Sequence, residues 1–189
     1  MISRLPLVAD RSATCLGRDI SMTALRENVL EWRIIRSVHM SHLSKLGLLL
    51  HEEHFRILVL ISGIEHRVSG DQARTPLDPD KREDRLQLNE LSDSLGELVR
   101  HNAFEEEVLF PLACDGGESD LAALLSEEHG TIAPLTKRLR QLVGEIIHKG
   151  AGAGRWGRFC RTARDFVACM MDHLQNEELS LVQRLPVLI

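Results

Sequence analysis

Two short patterns, each present twice and in the same order, constrain this chain more than any other feature. Around His54 the sequence reads Leu50-His51-Glu52-Glu53-His54-Phe55-Arg56-Ile57, and around His129 it reads Leu125-Ser126-Glu127-Glu128-His129-Gly130-Thr131-Ile132. Both fit L-x-E-E-H-x-x-I. Around His101 it reads His101-Asn102-Ala103-Phe104-Glu105-Glu106-Glu107-Val108-Leu109, and around His173 it reads His173-Leu174-Gln175-Asn176-Glu177-Glu178-Leu179-Ser180-Leu181. Both fit H-x-x-x-E-E-x-x-L. His101 follows His54 by 47 residues and His173 follows His129 by 44. The chain therefore reads as two copies of a helical hairpin, each carrying one of each pattern. A lone H-x-x-x-E says little, because Glu is common; the ordered repeat of two different patterns is far more specific.

The stretches that carry these patterns have helical periodicity. Side chains at i, i+3, i+4 and i+7 share a helix face. Leu43, Leu50, Ile57, Ile61 and Ile64 form one stripe, and Leu91, Leu98, Val108 and Leu112 a second. Leu121, Leu125, Ile132, Leu139, Leu142 and Ile146 form a third, and Phe159, Ala163, Phe166, Met170 and Leu181 a fourth. Helices are expected over about 43–68, from the Asp78-Pro79 cap signal to about 112, over 119–149 and over about 155–184, ending before Pro186. Pro134 is expected to kink the third, with Gly130 four residues earlier easing the clash. Short connections between long amphipathic helices imply an all-α, up-down-up-down antiparallel four-helix bundle over residues 43–186. Residues 1–42 form an N-terminal extension. An extra amphipathic helix is expected in it from Ser21 or Thr23 to about Met40, serving as a lid on the bundle or as the contact with a second subunit or protein partner.

His54, His101, His129 and His173 fall on these four apolar stripes, and Glu105 and Glu177 lie one turn beyond the second and fourth. Counted from the helix ends in alternating direction, all four histidines sit at about 15 Å from the same end of an antiparallel bundle. Four imidazoles and two carboxylates in an apolar interior are costly without partners. Two metal ions account for the set: neutral imidazole nitrogens bind terminally, while Glu105 and Glu177 bridge and cancel charge. Taken singly, each histidine is more often a satisfied core residue than a ligand, and histidine–carboxylate pairing alone would also satisfy them; the matched patterns and heights favour metal for the set. His39, His42, His66 and His148 lack the repeated context and are expected at the surface. His51, one turn before His54, is a lesser candidate ligand. Glu53 and Glu128 are expected to be solvated or to support the ligands from behind.

Composition narrows the partners. The net charge of −5 disfavours nucleic acid or an anionic membrane, and 4% aromatic residues with no Tyr disfavour a β-sandwich or a base-stacking surface. No apolar run is long enough for a membrane span or a signal-peptide core, so a cytoplasmic protein is expected. The four cysteines, 15, 114, 160 and 169, form no C-x-x-C pair and are expected to be free thiols acting as small buried hydrophobes.

The segments EEHFRI, HNAFEEEVLFP, EEHGTI and HLQNEELSLV, spread over about residues 43–186, resemble the hemerythrin-like family of HHE cation-binding domains. That resemblance implies an oxo- or hydroxo-bridged pair of Fe ions and a small diatomic or peroxide ligand: members bind oxygen reversibly, sense oxygen or iron, or handle nitric oxide and peroxide. Oxygen carriers in the family have two histidines four apart on the third helix and an Asp bridge on the fourth. Here Ala133 stands one turn after His129, and the fourth helix offers Glu177. The departure removes a terminal imidazole, which favours sensing or reacting with oxygen, peroxide or nitric oxide over carrying oxygen. A ferritin-like site would need Glu-x-x-His on two helices, and only Glu145…His148 fits. A module that contacts a partner in a metal-dependent way, and a purely structural bundle, are the competing expectations.

Overall fold

The computed structural model describes residues 45–188. The helix expected before Lys45, together with Cys15, His39 and His42, lies outside them.

Four long helical arms make the bundle. Helix α1 spans Lys45–Val68. The second arm begins as α2, Arg82–Phe104, passes through a π turn, Glu105–Leu109, and ends as α3, Phe110–Asp115. Helix α4 spans Ser119–Lys149. The last arm is α5, Ala153–Glu177, followed by a second π turn, Glu178–Val182, and α6, Gln183–Leu188. Each arm packs on two others, in the cyclic order α1, α2, α4, α5. None of the helices among the described residues is long and apolar enough to cross a membrane.

Local chemistry sets the ends of the arms. Val68 closes α1, and its carbonyl accepts from Arg164 Nη2 at 2.6 Å. Asp78-Pro79 makes a turn rather than the helix cap: the Lys81 N–H bonds the Asp78 carbonyl, Asp80 N–H bonds Asp78 Oδ1, and α2 starts only at Arg82. Helix α4 runs through Pro134 as one element and stops where Gly150 adopts φ 73°, a left-handed conformation open to glycine at little cost. The last arm continues past Arg184, with Pro186 inside its final segment, α6.

The apolar interior is divided in two. A large cluster includes Ile57, Ile61, Leu88, Leu95, Leu98, Ile132, Leu139, Phe159, Phe166 and Met170. A smaller one at the other end comprises Leu50, Leu109, Phe110, Ala113, Ala122, Leu125, Leu181, Val182 and Leu185. On the first three arms the histidine of the repeated pattern lies in sequence between these clusters, and on the last His173 sits at the edge of the larger one, two turns before Leu181 of the smaller, so the polar layer is walled by apolar side chains above and below. Two expectations fail at the surface. Val108 is 45% exposed, and Leu109 takes the inward position instead, because the π turn adds a residue and rotates the stripe. Cys114 is exposed beyond that turn, whereas Cys160 and Cys169 are buried.

Candidate metal centre

The H-x-x-x-E-E pattern produces the same local device twice. A π turn starts at Glu105 in the second arm and directly after Glu177 in the fourth. In the first of them the Phe110 N–H bonds the Glu105 carbonyl, five residues back. The α-helical spacing of four residues puts each glutamate on the histidine's face one turn on, and the widened turn that follows re-aims the residues beyond it. π turns concentrate at functional sites for this reason.

All six residues of the expected set converge. His54, Glu105 and Glu177 are fully buried, and His101, His129 and His173 nearly so. One cluster of ligand-type atoms joins His54, His101, Glu105 and Glu177; a second joins Glu105, His129 and His173, the atoms of each lying within 4.8 Å of one another. Glu105 spans them: its Oε1 is 2.8 Å from His101 Nε2 and 3.4 Å from His54 Nε2, and its Oε2 is 3.3 Å from His129 Nε2. Glu177 Oε2 lies 3.4 Å from both His54 Nε2 and His173 Nε2.

Every imidazole turns its other nitrogen to a carboxylate on a neighbouring arm. Glu53 of α1 accepts from His101 Nδ1 at 3.0 Å, and Glu106 of the second arm from His129 Nδ1 at 2.9 Å. Glu128 of α4 accepts from His173 Nδ1 at 2.9 Å, and Glu178 of the last arm from His54 Nδ1 at 2.9 Å. The four bonds close a ring around the bundle. Each fixes a tautomer with the proton on Nδ1 and the lone pair on the inward Nε2, the arrangement that supports metal-bound histidine.

The interior atoms are arranged as cations would require. His129 Nε2 and His173 Nε2 face each other at 3.1 Å. Two lone pairs so placed need a proton or a cation between them, and two metal–nitrogen bonds of about 2.1 Å at a right angle separate their nitrogens by about 3.0 Å. His101 Nε2, Glu105 Oε2 and both oxygens of Glu177 are buried with no hydrogen-bond partner. Such groups are rare unless something else satisfies them. The donor set of imidazole and carboxylate suits first-row transition metals. The residues fit two metal positions, one against His54 and His101 and one against His129 and His173.

Titration in the metal-free protein follows the same logic. Burial alone would lower the basicity of His54, but the charges and hydrogen bonds of Glu177, Glu105 and Glu178 outweigh it and push its pKa up to about 10. Burial would raise Glu105, yet the imidazoles of His101, His129 and His54 packed against its oxygens hold it well below the usual carboxylate range. Burial and the adjacent Glu105 charge hold Glu177 well above that range. A proton on His54 and one on Glu177 thus stand where a cation would otherwise sit.

The remaining candidates separate cleanly. His66 and His148 are exposed. Ala133 is exposed too, so no ligand comes from the turn after His129. His51 is buried with its Nδ1 3.1 Å from both oxygens of Glu178, and it stands in neither ligand cluster among the described residues. Sequence reasoning passed over Glu106 and Glu178, although the second glutamate of H-x-x-x-E-E repeats in both hairpins and carried the signal.

The sequence pattern of the hemerythrin HHE cation binding domain matches residues 48–185. Among curated proteins, the chain is 26% identical over 137 residues to the iron-sulfur cluster repair protein YtfE of Yersinia pseudotuberculosis serotype O:1b (strain IP 31758), and equally to that of Yersinia pestis (strain Pestoides F). The similarity covers 71% of this chain and 58% of each relative, so the chain spans little more than half the length of these proteins. No solved structure matches the fold closely enough to count.

Proposed function

We propose that this chain, which belongs to the hemerythrin family of HHE cation binding domains, holds two iron ions and uses them to sense or react with oxygen, peroxide or nitric oxide rather than to carry oxygen. One observation carries the reading. Each position has two imidazoles and a share of Glu105 and Glu177, a set of four protein donors. Iron commonly takes six ligands, so coordination positions stay open for exchange. When bound, the irons supply Lewis acidity and one-electron redox chemistry at those positions.

The chain's own residues do the rest. His54, His101, His129 and His173 present neutral Nε2 lone pairs, held by the outer carboxylates. Glu105 presents one oxygen to each position. Leu50, Leu109, Leu125 and Leu181 on one side, and Ile57, Leu98, Ile132 and Met170 on the other, keep bulk water from the layer. A groove of about 480 Å³ between α1 and α2, walled by Leu46, Leu49, Leu50 and Phe104, reaches Glu53 and His101 and offers a small ligand its route inward.

Peroxide consumption and nitric oxide binding by the iron-loaded protein test this reading. A stable, freely reversible oxygen adduct would overturn it. The iron–sulfur cluster repair for which the relatives are named supports an iron-linked task. A second reading, metal-dependent contact with a protein partner, draws on Leu49 and Phe104, large apolar side chains exposed at the mouth of that groove. A partner that binds only the metal-loaded or only the metal-free form would favour it.

A further inference from the structure

The four outer carboxylates are not alike. The side chains of Glu106 and Glu53 are 51% and 45% exposed, so water reaches the oxygen each leaves unused. Glu128 is 21% exposed, and its Oε1 takes the Asn176 amide at 2.6 Å. Glu178 is 4% exposed and has no such recourse to solvent. His54 Nδ1 engages its Oε1 at 2.9 Å, while the His51 ring stands 3.1 Å from both Oε1 and Oε2. A buried carboxylate oxygen without a donor costs free energy and favours rotation away from the site. The position that matches His51 in the second hairpin is Ser126, which is exposed, so this arrangement belongs to the first hairpin alone.

We infer that His51 is a positioning residue for the metal centre: it donates to Glu178, fixes that carboxylate against His54, and so sets the aim of the His54 Nε2 without itself ligating. The inference rests on the reading that His54 holds a metal. Removing the His51 donor frees Glu178 to turn, which loosens the His54 ring and its tautomer. Loss of an outer carboxylate partner of this kind typically weakens metal binding by about 10- to 100-fold.

Ferrous iron titrated anaerobically against a chromogenic chelator, together with the absorption spectrum of the loaded protein, tests this in a cycle of His51→Leu, Glu178→Gln and the double variant. His51→Leu is expected to keep two irons per chain, to lose about 10- to 100-fold in affinity at one of them, and to shift the spectrum. His51→Gln, whose amide can still donate to Glu178, is expected to recover most of the loss. In the Glu178→Gln background, His51→Leu is expected to add nothing further, whereas a purely packing role would give additive effects. Wild-type affinity and spectrum in His51→Leu would overturn the inference, as would additivity in the cycle or the loss of one whole iron. If His51→Leu does not fold, His51→Ala read in the same cycle decides in the same way. A wild-type chain that binds no iron would instead defeat the metal reading itself, a result distinct from a two-iron wild type with an indifferent His51→Leu.

Discussion

Glu128 Oε2 accepts from His173 Nδ1 at 2.9 Å across two arms, and Glu128 Oε1 is held at the same time by Asn176. Glu53 makes the equivalent bond to His101 from a side chain that is nearly half exposed. Water can substitute for Glu53 but has little access behind His173. Glu128→Gln is therefore expected to weaken iron binding by about 10- to 100-fold, and Glu53→Gln by clearly less, in a chelator competition. Equal losses would show that burial of the outer carboxylate does not matter.

The two ends of the bundle separate ligands from bystanders. His101→Ala together with Glu105→Ala removes a terminal nitrogen from one position and the carboxylate that reaches both. Metal analysis of that double variant is expected to find no iron. His148 is exposed near the far ends of the arms, and His148→Ala is expected to load fully.

Alkaline pH should weaken the metal-free protein. His54 has a folded pKa of about 10 against an ordinary 6.5. A raised histidine contributes stability that is complete below pH 6.5 and lost as pH climbs through about 10. The melting temperature of the metal-free chain is expected to fall by on the order of 5 to 10 °C across that window. With metal on Nε2 there is no proton to lose, so the loaded protein should show no such decline there. At the acid end the sign reverses: Glu105, held low, contributes stability that disappears as pH falls below its ordinary value of 4.5.

The larger apolar cluster should hold the helices together whether or not metal is bound. Phe159 is fully buried and stacks on Trp156, their ring centroids 5.0 Å apart. Phe159→Ala is expected to cost about 3 to 5 kcal/mol in denaturant unfolding, while iron stoichiometry in the folded fraction stays at the wild-type value. A loss of iron without loss of stability would show that the core and the site are coupled in a way this packing does not explain.

Much of the fold and the site is legible from residues alone. Helical periodicity and two patterns repeated in register suffice to place four imidazoles and two carboxylates on inward faces, because the α-helix ties sequence spacing to direction. The features that escape are those that break that tie. Val108 fits the helical stripe but points outward, since the π turn at Glu105–Leu109 adds a residue that no periodicity count anticipates. Glu53 sits beside His54 in sequence yet bonds His101, because a side chain about 100° around the helix faces the next arm rather than its neighbour's target. His51 reads as a lesser ligand one turn from His54, but its ring turns to Glu178, a contact between arms that spacing along one helix does not encode.

Two metal positions sharing Glu105 and Glu177 between two pairs of imidazoles underlie every prediction above. Metal analysis of aerobically purified protein, read with its absorption spectrum, probes that arrangement without any substitution. Two irons per chain and a ligand-to-iron charge-transfer band are expected. A folded, stable chain with no bound metal, unchanged by chelator, would contradict it.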